Sequence, residues 1–371
     1  MINESIYDFL VPVDFSVLNE DEDYKVGQIG YSIQQGNDVD TANLVIIGCQ
    51  EYRGQGIKKS PEGPHAIRRQ FYRLYHWHQD IKLADLGNVR EGEKLQDSYA
   101  ALQSVVQDLI QAGKKVLIIG GSHDNTLAIY RAYAAQKQII EATMVDALID
   151  IDREARLQAD NFLLEMLTSE PNYIRQFNLL GFQSYFTFPG LLEAIDKLCF
   201  DCVRVGRVQE RMDDIEPIIR GSRMLSFDIK SLANAYCPVN MLSPNGFTGQ
   251  EACKLMQFAG MSSELGVAGL FGFGHDDPSG MSSMQMAHMC WYYMDGVHKS
   301  LHEASLNDQN GFNEYHTLCA EVDTLFLQSR HTGRWWMKMP DQSFAPCSYN
   351  DYLMASHNDL PERWLRLQER T

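Results

Sequence analysis

The chain has 371 residues, 44% of them hydrophobic, with a net charge of −17 and a pI near 5.0. That length suits one large α/β domain with an appendage, or two domains. The acidic balance argues against a nucleic-acid backbone or an anionic membrane as partner.

In chain order, the start "MINESIYDFLVPVDF" lacks the basic region and long apolar run of a secretory signal. No stretch approaches the apolar length of a membrane span. "NEDED" (19–23) reads as a solvated acidic loop. Six short apolar runs then read as buried strands. They are "LVIIGC" centred on 45–49, "KVLIIGG" (115–121), "ATMVDALID" (142–150), "FNLLGF" (177–182), "MLSFDI" (224–229) and "GVAGLFGFG" (266–274). Between them, "GPHAIRRQFYRL" (63–74), "SYAALQSVVQDLIQAGKK" (98–115) and "GLLEAIDKL" (190–198) have helical periodicity. Strands alternating with helices predict a three-layer αβα architecture around a mostly parallel sheet. Residues 1–40 form an N-terminal segment and 41–300 the α/β domain. Residues 301–371 are expected to form a helical, loop-rich extension packed on that domain, toward a subunit interface, with Trp335 and Trp336 as anchors. The eight cysteines are scattered, which predicts reduced thiols and a cytoplasmic protein; the lone "CFDC" at Cys199 and Cys202 lacks a second pair for a zinc site.

Ligands of such sheets bind at the carboxyl ends of the strands. Three of the predicted ends carry metal-binding residue types. "GGSHD" (120–124) presents His123, "DALID" (146–150) presents Asp146 and Asp150, and "SFDIK" (226–230) presents Asp228 with Lys230. Read as extended strand, Asp146 and Asp150 share a face, as do Asp228 and Lys230. Taken singly, a histidine after a glycine pair is usually a loop residue and an aspartate after a strand is usually a helix cap. One imidazole and three carboxylates on successive strand ends fit one divalent cation, Mn²⁺ well and Zn²⁺ or Fe²⁺ less well.

The order and spacing of these motifs resemble the ureohydrolases: arginase, agmatinase and, most closely, formiminoglutamase. The family pattern is Gly-Gly-Asp-His-Ser, Asp-Ala-His-x-Asp, Ser-x-Asp-x-Asp and Glu-x-x-Pro. Here these stand as "GGSHD", "DALID", "SFDIK" and "HDDP" (275–278), with "GPHAIR" (63–68) and "PNGFTGQEA" (244–252) as further matches. The resemblance covers roughly residues 40 to 300. It implies an arginase-like fold, a homo-oligomer, a small-molecule substrate and hydrolysis of a linear amidine or guanidine C–N bond at two Mn²⁺ ions.

Carried over position by position, the resemblance makes His123, Asp146, Asp150 and Asp228 the first metal's ligands. The second metal's private histidine falls at Leu148, its private aspartate at Lys230, and the guanidinium-pairing glutamate at His275. Three carboxylates, one divalent ion and the Lys230 ammonium sum to zero charge, so Lys230 is expected to replace the second ion between Asp146 and Asp228. Asp146, Asp228, Lys230 and His275 are the candidate catalytic residues. Two readings follow: a one-metal hydrolase with impaired activity, or an inactive member serving as a binding or assembly module. A site empty of metal, with Lys230 salt-bridged to the carboxylates, is the plainer alternative.

Overall fold

The computed structural model describes residues 4–14, 18, 23–35, 39–58, 61–152, 154–198, 200–319 and 322–369. Cys199 and most of "NEDED" lie outside these. Two sheets organise the chain. The large one contains β1 (Leu10–Val11), β2 (Gln34–Gln35), β3 (Leu44–Gly48), β4 (Leu83–Val89), β5 (Lys115–Ile119), β6 (Ile140–Val145), β7 (Ile174–Phe182), β8 (Asp201–Arg204), β9 (Met224–Asp228) and β10 (Val267–Phe271). Its order is β1-β4-β3-β5-β10-β9-β6-β7-β8, with β2 also on β4. Every pairing is parallel except that of β1 with β4.

The strand residues alternate between two cores. Leu44, Ile46, Leu117, Ile119, Leu225 and Phe227 enter one, shared with the helices Gly249–Met261 and Met281–Leu301. Val45, Ile47, Val116, Ile118 and Met224 enter the other, shared with Leu95–Gln111 and Thr126–Ala135. Both faces of the sheet are therefore covered, which is why these strands read as unbroken apolar runs. No helix among the described residues is long and apolar enough to cross a membrane.

β4 escapes a hydropathy reading because its buried interior contains Asp85 and Asn88. Both serve Arg68, the last residue of "GPHAIR" and wholly buried. Its Nε and Nη2 donate to the Asp85 carboxylate at 2.8 and 2.9 Å, and Nη2 also donates to Gly87 O at 2.9 Å. Nη1 donates to Asn88 Oδ1 at 2.5 Å. The planar guanidinium thus ties the Gly63–Phe71 helix to the end of β4 through four fixed donors.

Within "PNGFTGQEA", Thr248 caps the Gly249–Met261 helix. Its Oγ1 accepts from Glu251 N at 3.2 Å, and Glu251 Oε2 accepts from Thr248 N at 2.8 Å. This reciprocal pair satisfies two otherwise orphaned donors. Thr248→Ala is expected to cost about 1 kcal/mol of stability, read by urea unfolding.

The extension departs from expectation. Instead of helix and loop, it builds a second, antiparallel sheet of β11 (Phe312–Cys319), β12 (Val322–Ser329), β13 (Trp335–Lys338) and β14 (Phe344–Cys347), followed by helices Tyr349–Ser356 and Glu362–Glu369. The polar residues that suggested loop sit at alternate positions: Glu314 and His316 are exposed where Tyr315 and Thr317 are half-buried. That is the solvent face of a strand pair. Trp335 and Trp336 do serve as anchors, one on each face of β13. Trp335 enters a cluster with Phe326 and Met337, and Trp336 one with Phe312 and Leu327. Arg220 of the main domain lies 4.2 Å from the Trp336 ring and donates to Trp335 O at 3.0 Å. Arg334 pairs with Glu303 at 2.8 Å and donates to Met261 O at 2.7 Å.

Candidate metal centre

Each candidate ligand stands at a strand end, and local backbone chemistry aims it. After β5 the chain turns through Gly120 and Gly121, both left-handed at φ 83° and 84°. A Cβ at Gly120 would lie 2.7 Å from Cys49 O, so a side chain there has no room. The turn is locked by Asn125, whose Nδ2 donates to Glu51 O at 3.0 Å and Ser122 O at 2.8 Å. His123 then points over the carboxyl ends of the strands, 1% exposed, edge-on to Phe162 at 4.9 Å.

The aspartates are set by turns rather than by strand geometry. β6 ends at Val145, so Asp146 and Asp150 occupy a loop and do not share a strand face. Asp228 ends β9, and Ile229–Ser231 form a 3₁₀ turn. Asp146 Oδ1 accepts from Leu148 N at 3.0 Å, and Asp228 Oδ1 accepts from Lys230 N at 2.7 Å. Both are the side-chain turns that aspartate favours, spanning two residues. They leave each Oδ2 pointing inward.

Those inward atoms converge on one imidazole nitrogen. His123 Nδ1 lies 2.9 Å from Asp146 Oδ2, 3.3 Å from Asp150 Oδ2 and 3.4 Å from Asp228 Oδ2. The Oδ2 atoms of Asp146 and Asp228 are buried and have no hydrogen-bond partner of acceptable geometry. Ligand bonds of about 2.1 Å to a divalent ion place neighbouring donors roughly 3 Å apart. One donor atom each from His123, Asp146 and Asp228 falls within 4.8 Å of the others, with Asp150 beside them, so the donor set, the spacing and the orphaned oxygens fit a metal ion.

The charge of the cluster follows from burial. Burial opposes a charged His123, but the Asp146, Asp150 and Asp228 carboxylates that face its Nδ1 hold its pKa up at about 10. Burial beside Asp146 pushes Asp150 up to about 7, and burial likewise raises Asp228. Burial also opposes a charged Asp146, but His123, Lys230 and the Leu148 N–H together hold its pKa low.

Lys230 is half-buried. Burial opposes its charge, yet Asp228, Asp146 and Asp150 raise its pKa. Among the described residues its side chain forms no ion pair or hydrogen bond with these carboxylates. The atom within 3.4 Å of all three is His123 Nδ1, not the Lys230 ammonium expected between Asp146 and Asp228. The 3₁₀ turn places the Lys230 backbone N–H on Asp228 Oδ1, at 2.7 Å. His275 is exposed, and no hydrogen bond or ion pair among the described residues joins it to the cluster. Its neighbours Asp276 and Asp277 are committed to the start of the Met281–Leu301 helix, accepting from Ser283 N at 3.1 Å and Ser282 N at 2.7 Å.

The match to known proteins decides the family. The arginase family model matches residues 42–270, more than half of the chain. The chain belongs to the arginase family. This arginase-family chain is 25% identical over 198 residues to a formimidoylglutamase of Lysinibacillus sphaericus, covering 48% of this chain and 61% of that protein. It is 28% identical over 141 residues to one of Staphylococcus epidermidis, covering 38% of this chain and 40% of that protein. The match thus spans less than two thirds of either relative. In three dimensions it is similar to Trypanosoma cruzi formiminoglutamase with Mn²⁺, at TM-score 0.64 and 18% identity, over 72% of this chain and 98% of that one. Bacillus subtilis formimidoylglutamase gives TM-score 0.65 at 15% identity, over 75% and 94%. These likenesses establish the arginase-like αβα fold.

The arginase-family frame also exposes a residue that sequence reasoning missed. Ser226 lies two positions before Asp228 on the same strand face, and its Oγ is 2.9 Å from His123 Nε2. Thr126 Oγ1 holds that hydroxyl at 2.6 Å. Ser226 fixes the imidazole plane from behind, as supporting partners of ligating histidines do. The signal was the two-residue period of β9.

Proposed function

We propose that this arginase-family chain is a one-metal hydrolase of a linear amidine C–N bond, of low turnover, with His123, Asp146, Asp150 and Asp228 holding a single Mn²⁺. The observation that carries this reading is the convergence of His123 Nδ1 and three carboxylate oxygens, two of them orphaned. Leu148 and Lys230 stand where the family resemblance puts the second metal's private ligands, and neither side chain can replace them. When bound, the ion supplies Lewis acidity and a more acidic water. Asp146 and Asp228 keep their backbone-accepting oxygens fixed, so the ligand geometry does not depend on the substrate. Ser226 keeps the His123 ring oriented. Lys230, held charged by the carboxylates around it, stabilises negative charge developing on the amidine carbon's substituents. With His275 in place of a carboxylate, and Asp276 and Asp277 spent on a helix start, a guanidinium substrate lacks its anionic partner. A formimino group on an anionic or neutral small molecule is the better match, in agreement with the names of the relatives. The scattered thiols, unpaired where described, suit a cytoplasmic location.

Formiminoglutamate hydrolysis by protein purified with excess Mn²⁺ tests the reading. Slow turnover is expected in the parent and loss of at least about a hundredfold in Asp228→Asn, with bound Mn²⁺ lost in parallel. Turnover unaffected by Asp228→Asn would remove the metal centre from the mechanism. An inactive binding module is the second reading. It is favoured by the closure of the site: all four candidate ligands are buried, and none lines the cavity of about 1000 Å³ found beneath the extension.

Metal binding must displace protons, since ligands coordinate deprotonated. With His123 at about 10 and Asp150 at about 7, falling pH favours the protonated cluster. Mn²⁺ affinity is expected to weaken severalfold or more from pH 8 to pH 6, read by equilibrium dialysis. A flat profile would contradict the assigned ligands.

A further inference from the structure

A second group of metal-ligating side chains shares no residue with the buried cluster. His298 and His302 lie four residues apart at the carboxyl-terminal end of the Met281–Leu301 helix and its cap, so they occupy one face. Asp80 reaches them from "YHWHQD" (75–80). His298 Nδ1 is 2.9 Å from each Asp80 oxygen, and His302 Nε2 is 2.9 Å from Asp80 Oδ2. One donor atom from each of the three side chains falls within 4.8 Å of the others.

We propose that Asp80, His298 and His302 form a surface binding site for a divalent ion of the zinc class. Two imidazoles and one carboxylate are the donors of a three-ligand zinc site, with water completing the tetrahedron. The set is too poor in oxygen to favour Mn²⁺ or Mg²⁺, and this separates it chemically from the buried cluster.

The surroundings are built to hold the ligands. His78 stacks on His298 with ring centroids 4.0 Å apart and planes 14° apart. His78 is itself fixed by Asp295, at 2.9 Å, and Asp295 is held by Gln257 at 2.6 Å and Lys299 at 2.7 Å. Trp291 Nε1 donates to Tyr75 O at 2.9 Å and secures the start of the segment that carries Asp80. The negative end of the helix dipole adds a favourable field for a cation. Bound metal would pin the 75–80 segment to the helix end.

Equilibrium dialysis of the full chain against Zn²⁺, with Mn²⁺ in excess and metal analysis afterward, tests this. The parent is expected to bind about one equivalent of Zn²⁺ that His302→Ala and Asp80→Asn both lose and Asp228→Asn retains. His302 is 61% exposed, so its removal leaves the fold intact, and Asp80→Asn preserves shape while removing charge. Equal Zn²⁺ in the parent and both surface variants overturns the site, leaving Asp80 as a hydrogen-bond bridge between two imidazoles. Zn²⁺ lost only with Asp228→Asn also overturns it, placing the ion in the buried cluster.

Discussion

Leu148→His combined with Lys230→Asp is expected to raise bound Mn²⁺ from about one equivalent to two, and to increase formimino hydrolysis by orders of magnitude. Both substitutions restore the residue types that the family resemblance places at these positions. Neither disturbs the backbone donors that Leu148 and Lys230 already give to Asp146 and Asp228, because those are main-chain N–H groups. Charge makes the pair interdependent. Four carboxylates balance two divalent ions, whereas three carboxylates and an ammonium balance one. Leu148→His alone leaves the Lys230 ammonium opposing a second ion. Lys230→Asp alone leaves two uncompensated charges in a largely buried cluster, which costs stability. Neither single variant is therefore expected to gain a second equivalent, and the double-variant cycle should show strong positive coupling. Metal analysis and turnover on the same preparations check it. A double variant that still binds one equivalent would mean that more of the second site has changed than these two side chains.

Arg68→Ala is expected to destabilise the fold by about 3–5 kcal/mol, a large part of the 5–15 kcal/mol that holds a typical domain folded. Arg68 and Asp85 are both buried, at 0% and 3% exposed, and removal of the guanidinium strands the carboxylate. Tyr72 and Gly87 N, which also donate to Asp85, neutralise only part of that charge. Asp85→Ala added to Arg68→Ala should cost far less than the sum of the two single changes, because the stranded charge is gone. Urea unfolding of the three variants measures this. A loss below about 1 kcal/mol for Arg68→Ala would show that Asp85 is accommodated without its partner.

The physical limits of reading this chain are visible residue by residue. Leu44–Gly48 and Val267–Phe271 announced themselves because nothing polar interrupts them. β4 did not, because Asp85 and Asn88 point inward to a partner, Arg68, far away in sequence. The small antiparallel sheet was hidden by its own solvent face, where Glu314 and His316 alternate with half-buried residues. Its turns were legible in principle: Gly333 at φ 71° and Gln342 at φ 73° sit where the chain reverses. At the site, residue identity and order named His123, Asp146 and Asp228, whose donor atoms fall within 4.8 Å of one another, and Asp150, which lies beside them at 3.3 Å from His123 Nδ1. Strand periodicity gave the wrong reason for their convergence, since Asp146 and Asp228 are aimed by turns that begin where the strands stop. Side-chain direction after a strand end depends on which oxygen takes the next free N–H, and a sequence does not record that choice.

The proposed centre holds one ion. Protein purified in excess Mn²⁺, dialysed free of loosely held metal and measured for Mn per chain, tests it most directly, with Leu148 and Lys230 intact and Zn²⁺ excluded. One equivalent, lost in Asp228→Asn, is the predicted result. Two equivalents, or less than about a tenth of one, would contradict it.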